Sequence, residues 1–325
     1  MRIPDYQNRK FKLWRTDNLI EQGITATHLR LRDRFSMPRY QAGRVVFSSF
    51  VHQIERYLRR HPDMQFDYPR NRARAFIYLL PGIRSWSLFM PGGFATHPVH
   101  NPDIKRLHSG KRIDYLTRNL FRHSLDAVGL RSRSYAMSWY AVTATAHITK
   151  RPVRWLSVAA GTGYPTFEAA ELLRQQPRIT LSDINEEALT VARHLAEERG
   201  IGESVTFELA DATKKGEFAR LITQSRPDVI DMMGLVEYLA DDVIVMLMRT
   251  FYAKAPHGAT LIFTNMRPTH PHLQTHQRGL GWPGVQVRTI ASVAKLLHKA
   301  AIPEESIEVL LPDDQVYGIY CIKKP

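Results

Sequence analysis

Three short segments hold the residues best suited to grip a nucleoside-type ligand. Val158-Ala159-Ala160-Gly161-Thr162-Gly163 leaves the apolar run WLSVAA (155–160) and opens into a helical pattern. Its two glycines let the backbone come close to a ligand at the end of a strand. Many strand-to-helix turns hold two glycines for geometry alone, so this turn gains meaning only from the acidic residues further along the chain. Asp183 ends RITLSD (178–183), about 20 residues further on, where a carboxylate can accept hydrogen bonds from both ribose hydroxyls. Asp is equally favoured as a helix N-cap. Asp211-Ala212 ends VTFELAD (205–211), where a carboxylate can receive an adenine amino group while the next N–H donates to the ring, although a plain turn residue would look the same.

Two further strand ends supply reactive side chains. PDVIDMMG (227–234) runs into Leu235-Val236-Glu237-Tyr238, and GATLIFTN (258–265) runs from Asn265 to Arg267 and then His270, His272 and His276. These are the candidate bases and orienting groups.

The elements that must position these residues are visible in the pattern around them. Short β-rich runs alternate with amphipathic stretches from Val153 onward, as in a parallel sheet covered by helices. EEALTVARHLAEERG comes after the second run, with Gly200 as its stop, and a helix near 290–301 precedes two last strands, SIEVLLP and VYGIYCI. Residues 1–149 read as a separate, mostly helical region. Val45, Phe50, Ile54, Tyr57 and Leu58 make one stripe, and Ile113, Leu116, Leu120 and Leu125 another; the aromatic, Pro- and Gly-containing stretch between them reads as an ordered loop or short strand pair. Tyr135, Trp139 and Tyr140, in SYAMSWYAV, read as core rather than as a ligand cage.

In order and at successive strand ends, these segments resemble class I S-adenosylmethionine-dependent methyltransferases over residues 150–325. VAAGTG is similar to the glycine-rich first motif, ITLSDIN to the acidic second, FELADAT to the adenine-binding third and DVIDMMGLVEYL to the fourth. The resemblance implies an α/β, doubly wound, mostly parallel seven-stranded sheet whose last two strands are antiparallel. It implies S-adenosylmethionine as cofactor, on Ala159, Gly161, Thr162, Gly163, Asp183, Ile184, Asp211, Ala212 and Met233. Ala159 and Ala160 stand where such proteins often carry an acidic and a small residue, so the carboxylate facing the methionine ammonium is expected elsewhere, on Glu237. A nicotinamide dehydrogenase would need a third glycine, and position 166 is Thr.

Acceptor chemistry is narrowed by exclusion. The loop after the fourth strand has no N/D-P-P-Y signature, which argues against base-amino or amide methylation, and Cys321 is the only cysteine, which excludes a covalent adduct from this loop. Direct, in-line transfer to oxygen or nitrogen remains, with Glu237, Tyr238, Asn265 and Arg267 expected to line one pocket. No metal is expected, because the His-rich loop lacks the hard carboxylates Mg²⁺ prefers. The net charge of +14 is concentrated at one end: 26 Lys+Arg against 10 Asp+Glu in residues 1–150, and 19 against 21 after that. Part of it, as in LRLRDRF, reads as solvated helix surface. The rest suits a lid over a small acidic or polar acceptor, or alternatively a grip on RNA phosphates; a non-catalytic binding protein is the third reading. A lone cysteine, no signal-like apolar stretch and no membrane-length run fit a cytoplasmic protein.

Overall fold

The structure is a computed structural model, and residues 11–325 are described; the first ten residues of the basic start lie outside them. Nine strands form one sheet: β1 (Phe11–Glu21), β2 (Ile24–Asp33), β3 (Arg154–Val158), β4 (Arg178–Asp183), β5 (Val205–Leu209), β6 (Val229–Met232), β7 (Thr260–Met266), β8 (Ile307–Pro312) and β9 (Tyr317–Lys323). Their order is β1-β2-β8-β9-β7-β6-β3-β4-β5. The five strands β3 to β7 run parallel, and β8 and β9 are antiparallel to each other, β9 also to β7.

The expectation of seven strands after a helical region needs correction. The seven strands are there, but β2 pairs in parallel with β8 and β1 antiparallel with β2, which widens the sheet to nine among the described residues. LRLRD is therefore strand, not helix surface: Leu29 and Leu31 are buried, while Arg30 and Arg32 face outward. Gln22 and Gly23, both at positive φ (55° and 80°), make the two-residue turn that joins the hairpin.

Six helices come next: α1 (Gln41–Arg60), α2 (Arg72–Ile77), α3 (Pro81–Trp86), α4 (Gly93–His100), α5 (Tyr115–His123) and α6 (Leu125–Thr145). The stretch read as a loop or strand pair is α2 to α4, with Pro81 in the first turn of α3, where its missing N–H costs nothing. On α1 the buried side is Val51, Ile54, Glu55 and Leu58, and Val45 is exposed. Ser124 splits the 111–130 stripe in two by capping α6, accepting from Ala127 N.

The remaining helices are α7 (Tyr164–Ala170), α8 (Glu186–Glu198), α9 (Glu217–Ser225), α10 (Asp241–Lys254) and α11 (Ile290–Lys299). On one face of the sheet Leu156, Ile230 and Phe263 pack with Leu221, Leu247, Phe251 and Leu297. On the other, Trp155, Ile179 and Ile319 pack with Phe167 and Leu189, and also with Tyr135, Ala136, Met137 and Trp139 of α6. The aromatic stripe is core, so α6 joins the helical region to the sheet. A third cluster, around Leu58, Trp86, Phe121 and Trp282, lies among α1 to α6. Among the described residues no helix is long and apolar enough to cross a membrane.

Candidate active site

The glycine-rich turn is built as a close-approach site. Ala159, Gly161 and Gly163 all have positive φ (52°, 57° and 67°), the first despite its Cβ, at a cost of about 1–2 kcal/mol that the rest of the fold must offset. Asp183 spans the turn: its Oδ2 accepts from Gly161 N at 2.7 Å and its Oδ1 from Asn185 N at 2.9 Å. The helix cap itself is Asn185, which accepts from Ala188 N at 3.1 Å. Asp183 is thereby free of capping and turned toward the strand ends. Above the turn, α4 comes so close that a Cβ on Gly93 would lie 2.5 Å from Gly161 Cα, and His97 Nδ1 is 3.3 Å from Thr162 Oγ1.

A cavity of about 380 Å³ runs from this turn, past Met233, into a chamber roofed by the N-terminal helices. Ala159, Gly161, Thr162, Asp183, Ile184, Met233, Glu237 and Tyr238 line it, as do Phe50, Ile54, Ile77, Trp86 and Trp282. Gly163, Asp211, Ala212, Asn265 and Arg267 are not on its wall. Gly163 opens α7 and packs against Leu181 and Phe167. Asp211 folds onto its own loop, accepting from Thr213 N at 3.0 Å and Thr213 Oγ1 at 2.6 Å, and Ala212 beside it is buried.

The four expected acceptor-side residues divide into two pairs. Asn265 is fully buried; it donates to Met266 O and Gln286 O and accepts from Arg288, holding the loop after β7 rather than facing a ligand. Arg267 pairs through its backbone with Val316 O, away from the cavity wall. Glu237 and Tyr238 do face the cavity. Glu237, 2% exposed, accepts from Arg133 Nη1 at 3.0 Å and from Thr264 Oγ1 at 3.4 Å. Burial raises its carboxyl above the ordinary range, against the pull of Arg133. Tyr238 Oη accepts from Trp282 Nε1 at 2.6 Å, and burial, aided by Glu237, lifts its hydroxyl to about 12. At neutral pH it is a hydrogen-bond donor, not a base.

Arg133 and Asp126 on the cavity wall were not singled out from the sequence, whereas His270, His272 and His276 were. Arg133 reaches from α6 to Glu237 and over the Tyr317 ring, 4.5 Å from its centroid. Gly234, at φ 93°, makes room for it, since a Cβ there would lie 2.9 Å from Arg133 Nη2. Asp126, also on α6, is met by two histidines at one oxygen: it is hydrogen-bonded by His270 Nε2 at 2.9 Å, and His276 Nδ1 lies 2.7 Å away, close but outside hydrogen-bond alignment. Burial alone would raise the Asp126 carboxyl, but the two imidazoles hold it well below its usual range. His270 Nδ1 accepts from His272 N at 3.1 Å, so His270 carries its proton on Nε2 and gives that hydrogen bond to Asp126. His276 stacks on Trp282 with centroids 5.6 Å apart, and its buried Nε2 has no partner among the described residues. Both Asp126 and His276 line the cavity. More than a hundred residues separate the two in sequence, and no local pattern links them.

Asp231 lies at the glycine-rich-turn end of the same cavity, on β6. It is 2% exposed and accepts from Trp155 Nε1 at 2.6 Å, Ser157 Oγ at 3.0 Å and, more weakly, Thr166 Oγ1 at 3.5 Å. Burial, partly offset by these bonds, pushes its carboxyl up to about 6.

A search of curated proteins finds no match in sequence. Among solved structures, the chain is similar to one from Bordetella parapertussis described as a possible exported protein, with 15% identity over 88% of this chain and 96% of that one and a TM-score of 0.61. It is more distantly similar to an O-methyltransferase family protein from Burkholderia thailandensis (14% identity, 65% and 60% covered, TM-score 0.46) and to magnesium protoporphyrin IX methyltransferase from Synechocystis PCC 6803 (14%, 66% and 90%, 0.47). Residues 106–322, from just before α5 to the last strand, match the model of a family described as "Putative methyltransferase". With its glycine-rich turn, acidic strand end and antiparallel closing strands, the chain belongs to this methyltransferase family.

Proposed function

We propose that the protein transfers a methyl group from S-adenosylmethionine to an oxygen or nitrogen of a small, largely apolar molecule held in the chamber. One observation carries this reading. A single cavity joins the glycine-rich turn and Asp183 to a chamber walled by Phe50, Ile54, Ile77, Trp86 and Trp282, with the unpartnered His276 Nε2 in a residue of that wall. Bound at the turn, S-adenosylmethionine would supply an electrophilic methyl group.

The chain's own residues supply the rest. Asp183 is set to accept from the ribose, and Ile184 beside it to flank the adenine. The apolar chamber excludes water and fixes the acceptor near the methyl group, which accounts for most of what such a transfer requires. The Asp126 carboxylate 2.7 Å from His276 Nδ1 favours the tautomer with its proton on Nδ1, which leaves Nε2 to accept the proton lost from the reacting hydroxyl or amine. Tyr238, bonded by Trp282, keeps its own proton to donate to the acceptor. Sequence composition favoured an acidic or polar acceptor, but Arg133, the arginine on the cavity wall, is already paired with Glu237. An apolar body with one ionisable group suits the chamber better.

The enclosed chamber also favours a small molecule over RNA, because its apolar walls are formed by buried helix faces rather than by the basic surface. The test is incubation with methyl-labelled S-adenosylmethionine and a small-molecule extract, read by mass. Label in a low-molecular-weight aromatic product is expected. Label in RNA alone would overturn the small-molecule reading.

A further inference from the structure

Glu237, the carboxylate expected to face the methionine ammonium, is already engaged by Arg133 at 3.0 Å. The turn itself offers only Ala159 and Ala160 where an acidic residue was to be expected. Yet the cofactor end of the cavity does contain a carboxylate whose hydrogen-bond partners are all neutral: Asp231, held by Trp155, Ser157 and Thr166. Register places it beside Ser157 on the neighbouring strand β3, one residue before the turn begins at Val158. A buried carboxylate without a cation is costly, and three neutral donors compensate it only in part. Buried ionisable groups on a cavity wall cluster at functional sites, and a cation is the partner that a carboxylate there lacks.

We propose that Asp231 is the ammonium-binding residue of the cofactor site: the carboxylate is supplied from β6 across the strand pair, and Ser157, Trp155 and Thr166 hold it at the cavity wall. This rests on S-adenosylmethionine being the methyl donor. Asp231 acts as a binding residue, and it explains why the turn can dispense with an acid of its own. The ion pair also balances a charge that the three neutral donors leave uncompensated.

The inference is separable from the methyl-donor reading by calorimetry with two ligands, S-adenosylhomocysteine and its des-amino analogue, in which hydrogen replaces the α-ammonium. Asp231→Asn keeps the size and one acceptor oxygen, and should weaken S-adenosylhomocysteine by about tenfold or more while changing the analogue by less than about twofold. On the wild-type protein near pH 6, S-adenosylhomocysteine should release protons as the ammonium draws the Asp231 carboxyl down, measured in buffers of different ionisation enthalpy; the analogue should release none. The β3 and α7 groups that bond Asp231, namely Trp155, Ser157 and Thr166, are neutral, and the titratable residues elsewhere on the cavity wall are Asp183, Arg133, Glu237, Asp126, His100, His276, Tyr238 and Tyr317. Loss of the release in Asp231→Asn assigns it to Asp231. Equal weakening of both ligands, no weakening of either, or proton release that persists in the variant would overturn the assignment. If neither ligand binds the wild-type protein, the methyl-donor reading itself falls.

Discussion

Single residues in this protein do work that their burial makes expensive. Asp231 is an acid whose folded value, about 6, lies above its unfolded value of 3.8. The folded chain therefore holds the proton more tightly than the unfolded chain, and stability is lost as pH rises from about 4 to about 6 and stays lower above that. Asp231→Asn removes that cost. The ligand-free variant is expected to melt a few degrees higher than wild type above pH 6, with the gap closing below pH 4; equal melting at both ends would show that the carboxylate is not strained by burial. Arg133 shows the opposite case. Truncation to Met leaves Glu237 buried without its cation and should cost about 3–5 kcal/mol in chemical denaturation, unless Glu237 takes up a proton. At the chamber, His276→Asn is expected to lower turnover by about 100-fold with S-adenosylhomocysteine affinity unchanged, as loss of a general base would. A parallel fall in cofactor affinity would make His276 a structural residue instead.

Elements bring these residues together, and here the sequence was legible in part. Strands β3 to β9 and helices α8 and α11 were readable because alternation, helical spacing and the Gly200 stop are local signals. The β1–β2 hairpin was not. Alternating Leu and Arg in LRLRD reads as readily as one edge of a basic helix, and only pairing with β8 selects strand. Similarly, Asn265 sits at a strand end where function was expected, yet Arg288 and Gln286, more than twenty residues on, turn it into a loop anchor. The glycine-rich turn itself was clear from its glycines; the cover over it was not, since nothing in α4 announces the contact between Gly93 and Gly161. Gly93→Ala should push α4 off the turn and cost about 1–3 kcal/mol of stability together with a loss of S-adenosylhomocysteine affinity, whereas Gly110→Ala, in open space, should cost only its positive-φ strain.

At the scale of the whole molecule, the basic N-terminal region and the sheet are not independent parts. Tyr135, Met137 and Trp139 of α6 share a core with Trp155 and Ile179, and β2 covers the β8 edge. Removing residues 1–110 would expose that edge and open the chamber roof, so the truncated chain is expected to aggregate rather than persist as a smaller enzyme. The excess positive charge lies outside the chamber and makes RNA binding testable without truncation. Any such binding should fall steeply between about 50 and 200 mM salt while methyl transfer to a small acceptor stays nearly level. The central claim is that the glycine-rich turn, Asp183 and the cavity beside them seat S-adenosylmethionine. Calorimetry of S-adenosylhomocysteine and NADH against wild type and Asp183→Ala tests it most directly. The account predicts one S-adenosylhomocysteine per chain at about micromolar strength, weakened by about 1–3 kcal/mol in the variant, and no NADH binding; tight NADH binding with no uptake of S-adenosylhomocysteine would contradict it.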